Sequence, residues 1–383
     1  MRKTIAGILA LTMLLALPVN AAWEDPVVET QARCDQDIKV GAKAAIVMEV
    51  KTGRVLFAQN ERERLPMAST TKIMTSLIAL EQNNVNAMFE VDPLAIRVEG
   101  SSMGLREGDQ ASLYALAAGM LLHSGNDAAN AVAVRISGSI PDFAVKMNAR
   151  AGAIGMRDTS FETPSGLDGG SHYSTAYDMA LLAREALSND AFAAICSQYK
   201  LRANYGNPPY NRWLKNHNKL LSIYDGTFGV KTGFTKKSGR CLVSAARRDG
   251  IELICVTLNC PDDWSVHRNL YDRFFDKLTL KNLTDDLPET NVPVVGGVSD
   301  MVSAIPYEEA FVAVPKEGAN IRHEVIAPHF LYAPVRQGQY LGDLRVFLDD
   351  DLVFTLSLAA ERDVPLLHQY KESLWERITD WAS

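Results

Sequence analysis

Two strand-turn-strand patterns bracket one long helical block, and no other feature of this chain constrains its architecture as much. Ala44 to Val50 and Arg54 to Ala58 are apolar-rich runs on either side of Lys51-Thr52-Gly53, which reads as a β-hairpin with glycine at its turn. Arg240 to Ala246 and Ile251 to Leu258 flank Asp249-Gly250, a strong hairpin signal. Helical patterns fill much of Met67 to Ala186 between them. Strands at both ends of a helical block imply an α+β domain, an antiparallel sheet covered by helices, expected over residues 23–278.

A chain of 383 residues is long for one typical domain. From about Asn282 the composition shifts to Val, Pro and Gly. Short alternating runs follow at Ala310 to Val314, His323 to Ala327 and Leu344 to Leu348, as in a small all-β domain expected over 279–362. Over 363–383, Leu367, Tyr370, Leu374, Ile378 and Trp381 recur at spacings of three and four, which predicts an amphipathic helix from Val364 to Trp381.

Three short motifs carry the chemistry. Ser69-Thr70-Thr71-Lys72 stands where Pro66 gives way to a helical stretch from Lys72 to Leu80. Residues three apart on a helix share a face, so the Ser69 hydroxyl and the Lys72 amine project into one space. A helix start also supplies spare backbone N–H groups. Ser124-Gly125-Asn126 follows, between helical segments Leu113 to His123 and Asp127 to Ile136, and Lys231-Thr232-Gly233 leads into the second hairpin. Each motif is weak alone, but the three in this order are highly specific.

Together they resemble the Ser-x-x-Lys, Ser-x-Asn and Lys-Thr-Gly set of the penicillin-recognising serine enzymes. The stretches Pro66 to Glu81, Ser101 to Asp109, His123 to Ala133, Thr163 to Ala183 and Gly229 to Gly250 narrow the likeness to a D-alanyl-D-alanine carboxypeptidase, a low-molecular-mass penicillin-binding protein. The likeness runs from about residue 40 to about residue 360. It implies a β-lactamase/transpeptidase-like domain, a carboxy-terminal β domain, no cofactor and no metal. Implied partners are peptidoglycan pentapeptide stems as substrate and β-lactams as inhibitors.

The resemblance also assigns roles. Ser69 would be the nucleophile, Lys72 its base, and Ser124 a proton relay to the leaving amine. Asn126 would bond the substrate backbone and hold Lys72. Lys231 and Thr232 would receive the free carboxylate of the chain end, and Gly233 would remove a side chain from the path of substrate. Backbone N–H groups of Ser69 and Phe234 would stabilise the tetrahedral intermediate. Some relatives carry His where this chain has Phe234; a backbone donor tolerates either, so altered pH behaviour is expected rather than lost activity.

The chain ends and composition set the surroundings. Arg2 and Lys3 precede an apolar run from Ile5 to Leu17 and small residues near Ala21 and Ala22, which reads as a secretory signal over 1–22. An exported enzyme is expected, at the outer face of the cytoplasmic membrane, in the periplasm or in the wall of a bacterium. The formal charge of −7 argues against a nucleic-acid partner. The terminal helix, bearing Trp375 and Trp381, suits either a membrane surface or packing against the β domain. Five scattered cysteines lack Cys-x-x-Cys spacing, so neither zinc nor redox chemistry is indicated, and small buried thiols are expected.

Rival features are present. Lys51-Thr52-Gly53 repeats the third motif but precedes Ser69 and reads as a hairpin tip. Gly100-Ser101-Ser102-Met103-Gly104 mimics a nucleophile elbow without the helix behind it. His323-Glu324 with His329 has Pro328 inside and fails metal-helix spacing. His172 and His217 read as structural histidines or cleft residues. No Glu-x-x-Leu-Asn run lies between the second and third motifs, which speaks against a β-lactamase, whereas a transpeptidase or a catalytically silent penicillin sensor would share the motifs.

Overall fold

The computed structural model describes residues 38–367, apart from 168, 285, 286 and 288. The expected secretory signal, Cys34 and residues 368–383 of the expected terminal helix lie outside the described residues.

A five-stranded antiparallel sheet organises the first domain, in the order β2-β1-β9-β8-β7: β1 Ala44–Glu49, β2 Val55–Gln59, β7 Thr227–Thr235, β8 Gly239–Arg248 and β9 Ile251–Leu258. Both expected hairpins are there, with Gly53, Asp249 and Gly250 at positive φ in their turns. The two ends of the chain segment meet because β1 pairs with β9, placing Ala44 opposite Leu258.

All six residues of β1 are buried, because both faces of the sheet are covered. Alternation still sorts them. Ala44, Ile46 and Met48 join the core under the helical block, while Ala45 and Val47 join Phe57, Leu253, Tyr271 and Phe274 on the other face. That second face is closed by α8, Asp263–Lys277.

The helical block comprises α1 Lys72–Leu80, α2 Leu113–His123, α3 Asn126–Ser137, α4 Ile140–Ile154, α5 Ala176–Leu187 and α6 Asp190–Cys196, with a short α7 at Leu220–Ile223. Side chains of Ser112, Ser139, Thr175 and Asn189 cap α2, α4, α5 and α6 by accepting a backbone N–H of the first turn. Every residue of α1 is buried, as expected of a helix at the centre of a domain. A second sheet, β3 Phe89–Glu90, β4 Gln110–Ala111, β5 Lys200–Gly206 and β6 Pro209–Lys215, packs Ala203, Tyr205 and Leu214 onto the helical core.

Beyond α8 the chain is all β. Strand β10 Leu278–Asn282 pairs with β13 Phe311–Pro315. A six-stranded sheet follows in the order β14-β16-β17-β12-β11-β15, built from β11 Asn291–Val295, β12 Met301–Pro306, β14 Ile321–Ile326, β15 Leu331–Tyr332, β16 Tyr340–Leu348 and β17 Asp351–Ala360. One expectation is corrected here. Helix was expected from Val364, but Val364 is buried and bridges Val335, and Leu366 bridges Gly297. Residues 364–366 therefore extend the β domain, because Val364 fills its core.

Candidate active site

Ser69 is carried on a one-turn 3₁₀ helix, Ala68–Thr71, that runs directly into α1. The entry is strained: Ala68 has φ +49°, a left-handed conformation that costs a residue with a Cβ about 1–2 kcal/mol. The Thr70 and Thr71 hydroxyls hold the turn by donating to the Met67 and Ala68 carbonyls at 2.6 and 2.8 Å. His172 accepts the Glu162 N–H on Nδ1 at 3.0 Å, so its Nε2 carries the proton and donates to Thr71 Oγ1 at 2.8 Å. His172 is thus a structural histidine beneath the turn.

Lys72 follows one turn after Ser69 and is wholly buried. Its Nζ lies 2.9 Å from Ser69 Oγ and donates to the Ser165 carbonyl at 2.5 Å. Burial holds its pKa well below the usual lysine value, and the neighbouring Lys231 lowers it further, against a smaller opposing pull from Asp127. An amine so placed accepts a proton from a hydroxyl far more readily than a solvated one. Asn126 does not hold Lys72 in this arrangement: its Nδ2 donates to the Glu99 carbonyl at 2.7 Å, and the Ser165 carbonyl takes the holding role.

Ser124 ends α2 in a left-handed conformation, φ +59°, which turns the chain sharply into α3. Asp127, in the first turn of α3, gathers the facing loop. Its carboxylate accepts from Ser102 Oγ and from the Met103, Gly104 and Leu105 amides at 2.6–3.1 Å. Four donors on one buried carboxylate fix the wall that carries Ser101. Sequence inspection missed both Asp127 and Ser165. The only cue was their presence in stretches that resemble the family.

Strand β7 forms the open edge of the sheet beside Ser69. Lys231 is buried behind it, its pKa lowered to about 7 by burial, with Nζ donating to the Thr232 carbonyl at 2.7 Å. Thr232 is half-buried, and the Phe234 side chain is 66% exposed. Gly233 has a structural reason that sequence inspection did not supply. A Cβ there would lie 3.0 Å from the Met67 carbonyl oxygen and 3.1 Å from the amide nitrogens of Ser69 and Thr70, so the missing side chain also makes room for the nucleophile's own turn.

These elements enclose a cleft of about 320 Å³ lined by Ser69, Ser101, Ser124, Thr232 and Phe234, with His217 and Lys219 on one side and Arg240, Asp263 and Trp264 on another. Lys72, Asn126 and Lys231 stand behind this wall. Of the two histidines weighed from sequence, His217 faces the cleft. The set Arg240, Asp263 and Trp264 was not foreseen; Arg240 forks onto Asp263 at 2.7 and 3.1 Å.

The rival motifs have structural occupations. In Lys51-Thr52-Gly53, Thr52 donates through N and Oγ1 to Glu49, and Arg184 donates to the Val50 and Lys51 carbonyls at 2.6 and 2.7 Å. Ser102 of the false elbow is spent on Asp127. Among the described residues no group of three or more His, Cys, Asp or Glu side chains could hold a metal, and Cys196, Cys241, Cys255 and Cys260 are buried and unpaired.

A serine paired with a buried lysine at the open edge of a helix-covered antiparallel sheet defines a serine acyl-transfer enzyme. Residues 29–262 match the family described as D-alanyl-D-alanine carboxypeptidase, and the chain belongs to that family of low-molecular-mass penicillin-binding proteins. Residues 279–366 match the penicillin-binding protein 5 C-terminal domain. The D-alanyl-D-alanine carboxypeptidase DacF of Bacillus subtilis is 32% identical over 84% of this chain and 86% of its own length. DacC of Escherichia coli is 32% identical over 80% of each chain. The crystal structure of penicillin binding protein 5 from Haemophilus influenzae, 27% identical, covers 86% of this chain and 98% of its own with a TM-score of 0.68.

Proposed function

We propose that Ser69 Oγ attacks the carbonyl of the terminal D-Ala-D-Ala bond of a peptidoglycan stem while Lys72 Nζ takes the hydroxyl proton. The enzyme is a serine-type D-Ala-D-Ala carboxypeptidase by family. The residue roles rest on the observation that a buried amine with a depressed pKa lies 2.9 Å from the Ser69 hydroxyl oxygen. Collapse of the tetrahedral intermediate expels the terminal D-alanine, whose amine receives a proton through Ser124, and water then hydrolyses the ester. Asn126 donates to the substrate backbone. Lys231 and Thr232 receive the terminal carboxylate, and the amides of Ser69 and Phe234 stabilise the oxyanion. A penicillin offers a strained amide and a carboxylate in the same arrangement and is captured as the ester.

Catalysis belongs to residues 23–278, with 279–362 a separate β domain carrying no catalytic set. Export is supported by Arg2 and Lys3 ahead of the apolar run Ile5 to Leu17 and by membership of a family that acts on the cell wall. Contact of the segment beyond the β domain, residues 368–383, with a membrane surface is supported by the amphipathic spacing of Tyr370, Leu374, Ile378 and Trp381 and by Trp375. Among the described residues no helix is long and apolar enough to cross a membrane.

Mass spectrometry after exposure to benzylpenicillin, run beside D-alanine release from a pentapeptide, tests the assignment. The adduct is expected on the peptide bearing Ser69, with Ser69→Ala losing both signals. Lys72→Ala should slow acylation ~10²–10⁴-fold. An adduct on any other residue, or labelling without D-alanine release, overturns the assignment. Flotation with vesicles, with and without 368–383, tests the membrane contact, and equal flotation refutes it.

A further inference from the structure

The hairpin β5–β6 presents an outer face with an unusual charge arrangement. Its inner face packs Ala203, Tyr205 and Leu214 on the helical core. The opposite face carries Lys200, Arg202 and Asn204 on β5, paired in register with Lys215, Trp213 and Asn211 on β6, and all six side chains are exposed. Lys200 stands directly across from Lys215. Like charges so placed repel and weaken a strand pair. Among the described residues, no carboxylate forms an ion pair with Lys200, Arg202 or Lys215, although the chain as a whole is acidic at −7.

The cations lean instead on aromatic rings. Lys200 Nζ lies 4.5 Å and Arg202 Cζ 5.6 Å from the Trp213 ring centroid, and Lys215 Nζ lies 5.3 Å from that of Tyr199. Trp213 is nevertheless 57% exposed. Such packing holds the charged groups in place without neutralising them. Two residues beyond Lys215 the chain reaches His217, and then Lys219, both of which line the cleft. Cations along one strand face are spaced by about 7 Å per residue pair.

We propose that this face is a docking surface for the carboxylate-rich glycopeptide strand that carries the substrate, binding stems neighbouring the one in the cleft. Every uncleaved stem ends in a free carboxylate, so a strand bearing many stems is a polyanion. Lys200, Arg202 and Lys215 meet those carboxylates, and Asn204, Asn211 and the Trp213 ring offer amide and apolar contacts to the sugar-peptide backbone between them. The inference rests on the carboxypeptidase reading for the identity of the strand. It makes the enzyme prefer polymer over a single stem, through association rather than chemistry.

The test uses the full chain and a triple variant, Lys200→Gln, Arg202→Gln and Lys215→Gln, beside a control carrying Lys39→Gln, Lys146→Gln and Arg157→Gln, exposed cations on other parts of the fold. Binding to soluble, uncross-linked glycan strands whose stems are already trimmed is followed by sedimentation at low and high salt, so that the readout does not depend on turnover. The wild type and the control are expected to bind and to lose affinity about tenfold as salt rises. The triple variant should bind about tenfold more weakly at low salt with little salt dependence, while its kcat/KM on a free pentapeptide stays unchanged.

Equal strand binding by the triple variant and the wild type overturns the proposal, as does an equal loss in the control or a matching loss on the free pentapeptide. So does a loss seen only for a phosphate-linked wall polymer or for anionic lipid vesicles, which would name a different partner. Failure of the wild type to release D-alanine would overturn the carboxypeptidase reading and leave the sedimentation result standing on its own.

Discussion

Gly166→Ala is the sharpest probe of how the nucleophile is held. Gly166 follows Ser165, whose carbonyl receives the Lys72 amine, and it has φ +81°. A Cβ built there falls 1.9 Å from the Ala68 carbonyl oxygen and 2.7 Å from Thr71 Oγ1, both in the turn that carries Ser69. Two costs add. The left-handed backbone costs alanine about 1–2 kcal/mol. Relieving the contact needs a separation of roughly 1.3 Å between loop and turn if a non-bonded carbon and oxygen are to reach about 3.2 Å, and a misplacement of that size costs about 10²-fold in rate, or about 2.7 kcal/mol.

Acylation by a chromogenic cephalosporin, followed by stopped flow, should therefore slow ~10²-fold in Gly166→Ala, with a loss of stability of a few kcal/mol in denaturant. Gly155→Ala separates the terms. Gly155 has φ +89° and open space around its would-be Cβ, at the far end of α4, so it should lose about 1 kcal/mol of stability and no acylation rate. If Gly166→Ala acylates within threefold of the wild type while remaining folded, the 163–167 loop does not hold the catalytic pair and the argument fails.

The Lys231 pKa of about 7 predicts that kcat/KM for carboxylate-bearing substrates falls as pH rises through that value, because the free enzyme loses its cation; a pH–rate profile checks this, and the limb should vanish for an analogue lacking the carboxylate. His267 is buried and neutral, its pKa lowered to about 3, with Ser244 and Thr257 hydroxyls 2.6 and 2.9 Å from its two ring nitrogens. The unfolded chain gains that proton near pH 6.5 and the folded one only near 3, so stability is present above 6.5 and is lost as pH falls towards 3. Denaturant titrations of His267→Gln should show a slope between pH 6 and 4 shallower by about 1 kcal/mol per pH unit. Phe234→Ala should keep acylation within about tenfold, since its expected donor is the backbone N–H; a loss near that of Lys72→Ala would place the side chain in the chemistry.

Much of the architecture was legible because it is written locally. Helix α1 spans Lys72–Leu80, as its apolar pattern indicated, and α2 begins and ends as expected. The two hairpins follow their Gly53 and Asp249-Gly250 turn signals. Positions 364–366 misled because they precede the first of the residues spaced by three and four, Leu367, and carry no period of their own; Val364 is instead taken by the β core, where it bridges Val335. Gly233 was legible only in part: a glycine in a motif announces close approach, but the Met67, Ser69 and Thr70 backbone that approaches it is set by the tertiary fold.

By itself the sequence determined the order of elements, the three motifs and the one-turn spacing between Ser69 and Lys72, since periodicity and turn chemistry act between residues a few positions apart. Tertiary structure decided what those motifs can do. The Lys72 amine is depressed by burial and by Lys231, and it is held by a carbonyl 93 residues away. It also decided which of two Lys-Thr-Gly copies stands beside Ser69, and brought Asp127 under a loop more than 20 residues upstream. Desolvation and electrostatic coupling depend on distance through space, and distance along the chain carries almost no record of it.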